Sequence, residues 1–287
     1  MSVELSILFA FGAMLCWGFG DFFIQKTVRK IGDIESLALI GIAGTIFLLP
    51  LIFNDLFSLS FSDYYFLAGV GILSFIVSII ALESLARGKL SAMDSLFEFE
   101  LPLTVLIGVF LLGEILFLHH LVLIFLILAG ILMISVSSLS FSSIPIFEKG
   151  AWFAILGAFG FAVTNFLVTI GSRSISPFMV IWISWLFFAI GCLIIIWKRK
   201  KLRSFVFDSI KFKSIAVPMA VLDTAAWIFF ALAVTYGALS ITVAITESYI
   251  VITLFLGLFV NKEKLAFHQL LGAILVTVSC VALGILA

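Results

Sequence analysis

The sequence predicts an all-α integral membrane protein with ten transmembrane helices, arranged as two inverted five-helix repeats. Three observations support this prediction. Of the 287 residues, 64% are hydrophobic and only 11% are charged, whereas soluble domains are about half apolar and about a quarter charged. Ten apolar runs are long enough to cross a bilayer, and the second five runs repeat features of the first five. Most of the protein surface is therefore expected to contact lipid.

Ten apolar runs in the sequence are long enough to be transmembrane helices. A transmembrane helix needs about 20 predominantly apolar residues. Runs of about this length cover residues 5–26, 34–53, 64–86, 91–112, 118–138, 150–170, 177–197, 214–236, 240–260 and 265–286. Open sheets cannot satisfy their backbone groups in lipid, and barrel strands would alternate in hydrophobicity. Every run is therefore predicted to be a helical span. The longest connection between two spans runs from Lys198 to Lys213 and is basic.

Internal similarity divides the chain into two repeats. A shift of 149 residues places Glu98 on Glu247, and it also superimposes Glu114 on Glu263 and His119 on His268. Near the start of each half a shift of 144 residues places Asp21 on Asn165. Several matches at one offset are unusual by chance. We therefore predict a first repeat over residues 1–140 and a second over residues 141–287.

The basic residues test whether the second repeat is inverted. Because five is an odd number of spans, the second repeat must enter the membrane from the other side. Of the 16 Lys and Arg residues, only Arg173 lies at a connection that follows an even-numbered span. Basic residues favour the cytoplasmic side of a membrane. The sequence thus predicts a multi-pass plasma-membrane protein with both termini extracytoplasmic.

Several segments resemble a known family. They are the first-span segment CWGFGDFFIQK (residues 16–26), the segment ALESLARGKLSAMDSLFEFELPLTVLIGVFLLGE (residues 81–114) and the second-repeat segment ESYIVITLFLGLFVNKEKL (residues 247–265). Together they resemble the drug/metabolite transporter superfamily, specifically EamA-type ten-helix permeases. Glu100, Pro102 and the Gly113–Glu114 pair carry most of the likeness, although Val251 stands at the position of Pro102 in the second repeat.

The resemblance implies a secondary transporter with a central cavity between inverted halves, and it favours export. It also implies that both termini lie in the cytoplasm, because this is the topology expected for most members of the family. The distribution of Lys and Arg in this chain predicts the reverse. Alternating access to the cavity from the two sides of the membrane is the mechanism that such a fold implies.

Carboxylates within the spans are the main functional signal. A charged carboxylate at a helix centre costs at least about 2.5–3.5 kcal/mol in lipid, so such groups are usually functional. Asp94, Glu98 and Glu100 all fall in the first half of span 4. In a regular helix Glu98 and Glu100 lie about 200° apart, so the three cannot all face one cavity. Glu98 is predicted to face it, because Glu247 repeats it, and Glu100 to face another helix or water.

The predicted substrate-binding or proton-coupling residues extend to other spans. They are Glu98, Glu247, Asp21, Asp223, Asn165, Trp17, Trp227 and Tyr249, with Phe22 and Phe166 as further aromatic candidates. Glu83 is also expected to face inward. A buried carboxyl can bind and release a proton or hold an amine, and the alternative is a glutamate that only bonds to Ser or Thr on a packed helix. Pro102 removes a backbone hydrogen bond and is predicted to be the hinge of span 4.

Other polar residues are expected to lie at the membrane boundary. Glu114 and Glu263 are at the ends of spans, where water can solvate them. His119 and His268 each begin the last span of a repeat and are predicted to be interfacial anchors, with a role in proton transfer as the alternative. The three cysteines have no metal-ligand spacing. We therefore expect packing cysteines, no metal site and no cofactor.

All Lys and Arg residues lie at the ends of spans or in connections. Recognition of a phosphate favours Arg or Lys inside the site. The sequence therefore predicts an exporter of a small amine-bearing or zwitterionic metabolite such as an amino acid, with protons as a candidate coupling ion and a homodimer as a candidate assembly. The alternatives are a multidrug or cation efflux carrier, a nucleotide-sugar or sugar-phosphate exchanger, a membrane-embedded enzyme, a channel and a structural protein.

Overall fold

The protein is described by a computed structural model. The structure describes residues 2–87, 93, 96–135, 150–260, 262 and 265–287. Over these residues the regular secondary structure is entirely helical. The helices are α1 (Ser2–Ile31), α2 (Asp33–Leu56), α3 (Phe61–Arg87), α4 (Glu100–Leu111), α5 (Leu118–Ser135), α6 (Ala151–Ser174), α7 (Pro177–Lys198), α8 (Leu202–Lys211), α9 (Lys213–Tyr236), α10 (Leu239–Glu247), α11 (Ile250–Val260) and α12 (Phe267–Leu286).

The predicted fold class is confirmed. Within the described part of the chain, nine helical stretches are long and apolar enough to cross a membrane, and α10 and α11 together form one of them. The shorter α4 belongs to the remaining span, which is span 4. Spans 1 to 10 are therefore α1, α2, α3, α4, α5, α6, α7, α9, α10–α11 and α12. The protein is an all-α integral membrane protein built from two inverted repeats of five spans.

Large apolar side chains cover the outer surface of the bundle. Phe110, Phe125 and Trp152 are each at least two-thirds exposed. In water such a surface would be an interaction site or an aggregation risk, whereas in a bilayer it contacts acyl chains of the same polarity. The lipid-facing surface predicted from composition is therefore present in the fold.

Packing between the repeats follows the pseudo-two-fold symmetry. The second span of each repeat packs on its counterpart, as α2 on α7, and the fifth spans pair in the same way, as α5 on α12. The first span α1 packs on α9, and the symmetry-related pair α3 and α6 is also in contact. Each of these contacts joins one repeat to the other. The two repeats therefore form one bundle rather than two separate domains.

The crossing of α5 and α12 depends on two glycines. A Cβ atom on Gly130 would lie 2.8 Å from the carbonyl oxygen of Gly272, and a Cβ atom on Gly272 would lie 2.6 Å from that of Gly130. Small residues let transmembrane helices approach closely, since lipid supplies no hydrophobic force between them. Gln269 also bridges this pair, because its side-chain amide donates to the Ile134 carbonyl at 3.0 Å.

One helix was not predicted. The basic connection between spans 7 and 8 contains α8, whose Val206, Phe207 and Ile210 are more than half exposed. Seven Lys and Arg residues lie between Lys198 and Lys213. A short helix with a strong apolar face and a basic polar face is typical of the membrane interface. In the first repeat the equivalent connection, between α2 and α3, is only residues 57–60.

Candidate functional site

Two spans are interrupted in the middle. In span 4, Leu96 and Phe97 are helical, Glu98 and Phe99 form a turn, and a new helix, α4, begins at the next residue. In span 9, α10 ends at Glu247, and a turn separates it from α11. The interruptions therefore coincide with the carboxylates that the repeats share. Transporters of inverted-repeat type place broken helices of this kind at their substrate and ion sites.

The interruption of span 4 corrects the predicted orientation of Glu100. Both Glu98 and Glu100 line the same cavity, although an unbroken helix would direct them to nearly opposite sides. The turn at residues 98–99 changes the helix phase, so the regular rotation per residue does not apply across it. The Glu100 carboxylate accepts a hydrogen bond of 2.8 Å from the Asn165 side-chain amide. Asp94, the third acid of this segment, lies outside the described residues.

Pro102 lies just after this interruption, in the first turn of α4. A proline is tolerated there, because the first N–H groups of a helix have no partner within it. Without an N–H group, Pro102 cannot bond to the carbonyl of Glu98, the residue one turn earlier. The backbone continues with the Leu103 N–H donating to the Phe99 carbonyl at 3.2 Å. The role of Pro102 as a hinge remains a prediction.

The cavity has a volume of about 750 Å3 and lies between the two repeats. Among the described residues, five carboxyl groups line it: Asp21, Glu98, Glu100, Asp223 and Glu247. Asp21 interacts electrostatically with Asp223 and Glu247, and Glu100 interacts with Glu98 and Glu247. No Lys or Arg is among the described residues that line the cavity. The described walls of the cavity are therefore acidic.

The structure brings together all eight residues predicted to bind substrate or protons. Asn165, Trp17, Trp227 and Tyr249 line the cavity with the acids Glu98, Glu247, Asp21 and Asp223. The Trp17 and Trp227 rings meet edge to face, with centroids 5.3 Å apart. Phe22 also lines the cavity. Phe166 does not, and instead packs against the hydrophobic core.

Three residues that sequence reasoning did not select also belong to the cavity. Gln25, Ser135 and Thr253 line it, and the Ser135 hydroxyl donates to the Glu98 carboxylate at 3.4 Å. Gln25 lies one turn after Asp21 on the same helix, so its position was available from helical spacing. No local signal marks Ser135 or Thr253, because Ser and Thr are common in transmembrane helices.

Glu83 occupies a different environment from the one predicted. Its side chain is 45% exposed and pairs with Arg87 one turn later, at 2.5 Å. It lies in the last turn of α3, close enough to the end of the span for an arginine to reach it. The expectation that Glu83 faces inward is therefore wrong. His119 and His268 lie in the first turns of α5 and α12, away from the cavity.

The cavity lies toward one end of the bundle. We call the end formed by the connections after odd-numbered spans the basic face and the other end the opposite face. Leu85, Ser135 and Gly257 all line the cavity, and each lies within a turn of the end of its helix at the basic face. The hollow part of the molecule therefore extends from the interrupted helices toward the basic face.

Glu114 closes the opposite face. Its carboxylate accepts hydrogen bonds from the Leu239 N–H at 2.5 Å, the Ser240 N–H at 2.9 Å and the Ser240 hydroxyl at 2.6 Å. These groups belong to the start of α10, where unpaired N–H groups and the helix dipole favour a negative charge. The predicted solvation of Glu114 is thus wrong, since its side chain is only 8% exposed. Glu263, its repeat counterpart, lies outside the described residues.

Arg173 extends this network to the end of α9. Its guanidinium donates to the carbonyls of Val234 and Gly237, each at 2.8 Å, and lies 3.8 Å from the Glu114 carboxylate. The Ser6 hydroxyl adds a bond of 2.9 Å to the Ala233 carbonyl. We call Ser6, Glu114, Arg173 and Ser240 the polar latch. Because it joins α1, span 4, α6 and the α9–α10 connection, it links both repeats at the opposite face.

Comparison with known families agrees with this architecture. The model of the EamA-like transporter family matches residues 4–136 and 148–285. The chain belongs to the EamA-like transporter family. The resemblance inferred from the span 1 and span 4 segments is thereby confirmed, as is the expectation of a multi-pass membrane transporter.

A solved crystal structure has the same fold. It superimposes with a TM-score of 0.79 over 98% of this chain and 97% of the other, at 15% sequence identity. At that identity the likeness concerns the fold alone. No curated protein matches the sequence. Among the described residues, no group of three or more His, Cys, Asp or Glu side chains could hold a metal ion.

Proposed function

We propose that this EamA-family transporter exports a small amine-bearing or zwitterionic metabolite, such as an amino acid, in exchange for protons. The observation that carries the proposal is that, among the residues that the structure describes, one cavity is lined by five carboxyl groups and by no Lys or Arg. A positively charged amine would relieve the repulsion between these groups. A phosphorylated substrate would increase it, which argues against a nucleotide-sugar or sugar-phosphate exchanger.

Competition for the same carboxyl groups supplies a mechanism of exchange. Burial and neighbouring negative charge both favour binding of a cation, either a proton or an ammonium group, by a carboxylate. If Glu247 and its neighbours hold one or the other, loading with protons releases the amine and loading with the amine releases protons. An inward proton gradient would then drive the amine outward, and no separate proton site is required.

The position of the cavity is compatible with the proposed export. The cavity extends toward the basic face, and the polar latch joins the helices at the opposite face. The excess of Lys and Arg favours placing the basic face in the cytoplasm. In this orientation the cavity is on the side from which an exporter takes up its substrate, and both termini are extracytoplasmic.

A multidrug or organic-cation efflux carrier is the second candidate. The aromatic walls of the cavity favour it, because Trp17, Trp227 and Tyr249 line the same space as the acids. Aromatic faces attract organic cations, most strongly when the site is desolvated. A quaternary ammonium ion has charge and apolar surface but no N–H donor, so it separates this candidate from carriers of primary amines.

A ligand-binding experiment tests the proposal. The full-length protein in detergent is heated with amino acids, primary amines, quaternary ammonium ions or nucleotide sugars, at pH 5.5 and pH 7.5. A ligand that binds only the folded protein raises the melting temperature. We expect stabilisation by a primary amine or amino acid. It should be weaker at pH 5.5, because protons compete for the carboxylates, and absent in Glu247→Gln.

Glu83→Gln is the matched control, because it removes a carboxylate that is half-exposed, pairs with Arg87 and is not among the described residues that line the cavity. It should bind as the unchanged protein does. Stabilisation by a nucleotide sugar, unaffected by Glu247→Gln, would contradict the proposal. A preference for quaternary ammonium ions would move the assignment to the second candidate.

A further inference from the structure

A second cavity adjoins the first. It has a volume of about 210 Å3 and is enclosed by α1, α2, α3, α6, α7 and α9. Four residues line both cavities: Ile24, Phe161, Asp223 and Trp227. We call the smaller cavity the side pocket. Asp223 thus stands at the boundary between a carboxyl-lined chamber and a second, smaller one.

The two chambers differ in chemistry. Most of the side pocket is apolar, with Leu37, Ile40 and Ile181 among its walls. Three aromatic rings stand edge to face there: Trp185 is 5.2 Å from Phe188 and 6.4 Å from Trp227, measured between centroids. Such an arrangement of rings accommodates a further aromatic ring with favourable edge and face contacts.

Two polar atoms of side-pocket residues lack a partner. The Thr164 hydroxyl and the Trp185 indole N–H are buried and make no hydrogen bond within the described part of the protein. Both residues line the side pocket and are less than a tenth exposed. Buried polar groups are nearly always paired.

We propose that the side pocket is a substrate subsite that receives an aromatic or branched apolar group, while the amine of the same molecule binds the carboxyl groups beyond Asp223. This inference rests on the proposed function and narrows it to amines that carry a bulky apolar group. Asp223 connects the two parts, because it lines both chambers. Trp227 also lines both chambers, so such a molecule would contact it in each of them.

Three small probes separate the contributions of charge and apolar surface. Phenethylamine has the amine and the ring, ethylamine has the amine alone, and benzyl alcohol has the ring without the charge. Binding of each to the full-length protein is measured by thermal shift over a range of concentrations. Because the ring loses its contact with water in the side pocket, phenethylamine should bind at least about tenfold more tightly than ethylamine.

A substitution that fills the side pocket tests whether the ring of phenethylamine binds there. Ser184 lines it and only bonds to the Val180 carbonyl of its own helix, at 2.9 Å. In Ser184→Leu the affinity for phenethylamine should fall to that for ethylamine, and ethylamine binding should not change. Ser209→Leu is the control, since Ser209 makes the same type of bond to Phe205 on α8, and no described residue of α8 lines either cavity.

Each outcome bears on the proposal. Equal binding of phenethylamine and ethylamine by the unchanged protein would overturn the side-pocket assignment and leave the proposed amine transport standing. That comparison does not require Ser184→Leu to fold. Binding of benzyl alcohol and neither amine would contradict the proposed function while supporting an apolar subsite. Equal weakening of both amines by Ser184→Leu would also overturn the assignment, because it would indicate a general structural effect.

Discussion

Carboxyl groups have different surroundings at the two faces of the bundle. At the opposite face, Glu114 is held by three donors and an arginine, and the helix ends there are joined across the repeats. Toward the basic face, carboxyl groups of equal charge line a cavity that holds no Lys or Arg among its described walls. A glutamate is thus a structural cap in one region and one of several neighbouring acidic wall groups in the other.

The difference shows what a buried carboxylate needs. An acid is stable at a helix start because the N–H groups and dipole of the helix favour its charge. The acids of the cavity have one another as close neighbours, and their repulsion disfavours the fully charged state. The proposed exchange of an amine for protons would supply a cation that binds reversibly at these acids, whereas the latch requires none. Three substitutions test the contacts that join the two repeats, both in the latch and at the crossing of α5 and α12. They are given in order of decreasing expected effect on thermal stability.

The largest effect is expected from Glu114→Ala. The change leaves two backbone N–H groups and the Ser240 hydroxyl without their acceptor, so we expect a loss of about 3 kcal/mol. For a chain of this size that loss lowers the melting temperature by about 6–12 °C. Glu83→Ala is the matched change at the basic face and should alter it little, because exposed ion pairs contribute about 0–1 kcal/mol. Equal effects of the two changes would refute the latch.

A smaller loss is expected from Gly130→Ala, which tests the packed wall beside the cavity. The new methyl group would meet the Val276 side chain at 2.6 Å and the Gly272 carbonyl at 2.8 Å. Overpacking of this kind costs about 2 kcal/mol, or about 4–8 °C in melting temperature. Gly69→Ala in α3 is the control, because no atom lies within 4 Å of its Cβ position. It should stabilise the helix slightly, and a fall as large as that of Gly130→Ala would contradict the argument.

The smallest effect is expected from Ser6→Ala at the edge of the latch. The lost hydrogen bond should cost about 1 kcal/mol, or about 2–4 °C in melting temperature, since the Ala233 carbonyl keeps the Gly237 N–H as a donor. Ser174→Ala, which removes only a local bond to Ile170 on an exposed surface, serves for comparison. A loss near that of Glu114→Ala would mean that Ser6 contributes as much to this face as the carboxylate, contrary to our expectation.

Much of this fold was predictable because lipid imposes a simple rule on the chain. Ten apolar runs of sufficient length specify ten spans, and the coincidence of Glu98 with Glu247 reveals the repeat. The eight predicted binding residues line one cavity for the same reason, since a polar side chain in a span is disfavoured in lipid and turns inward.

The errors arise where distant parts of the chain interact. Glu114 was expected in water, but it caps a helix that begins 125 residues later. Glu100 faces the cavity because a turn precedes it and because Asn165, 65 residues away, binds it. Neither partner is recognisable from the local sequence. By contrast, α8 was predictable from the sequence, because Leu202, Phe205 and Val206 are spaced as on one face of a helix.

The presence of α8 in one repeat alone has a thermodynamic consequence. If the halves were identical, exchanging their conformations would convert the state open to one side into the state open to the other, and the two would be equally populated. The first repeat joins its second and third spans with four residues, whereas the second uses a connection that includes a ten-residue helix. The exchange is therefore between states of unequal free energy, and the empty carrier has a resting preference that its substrate must shift.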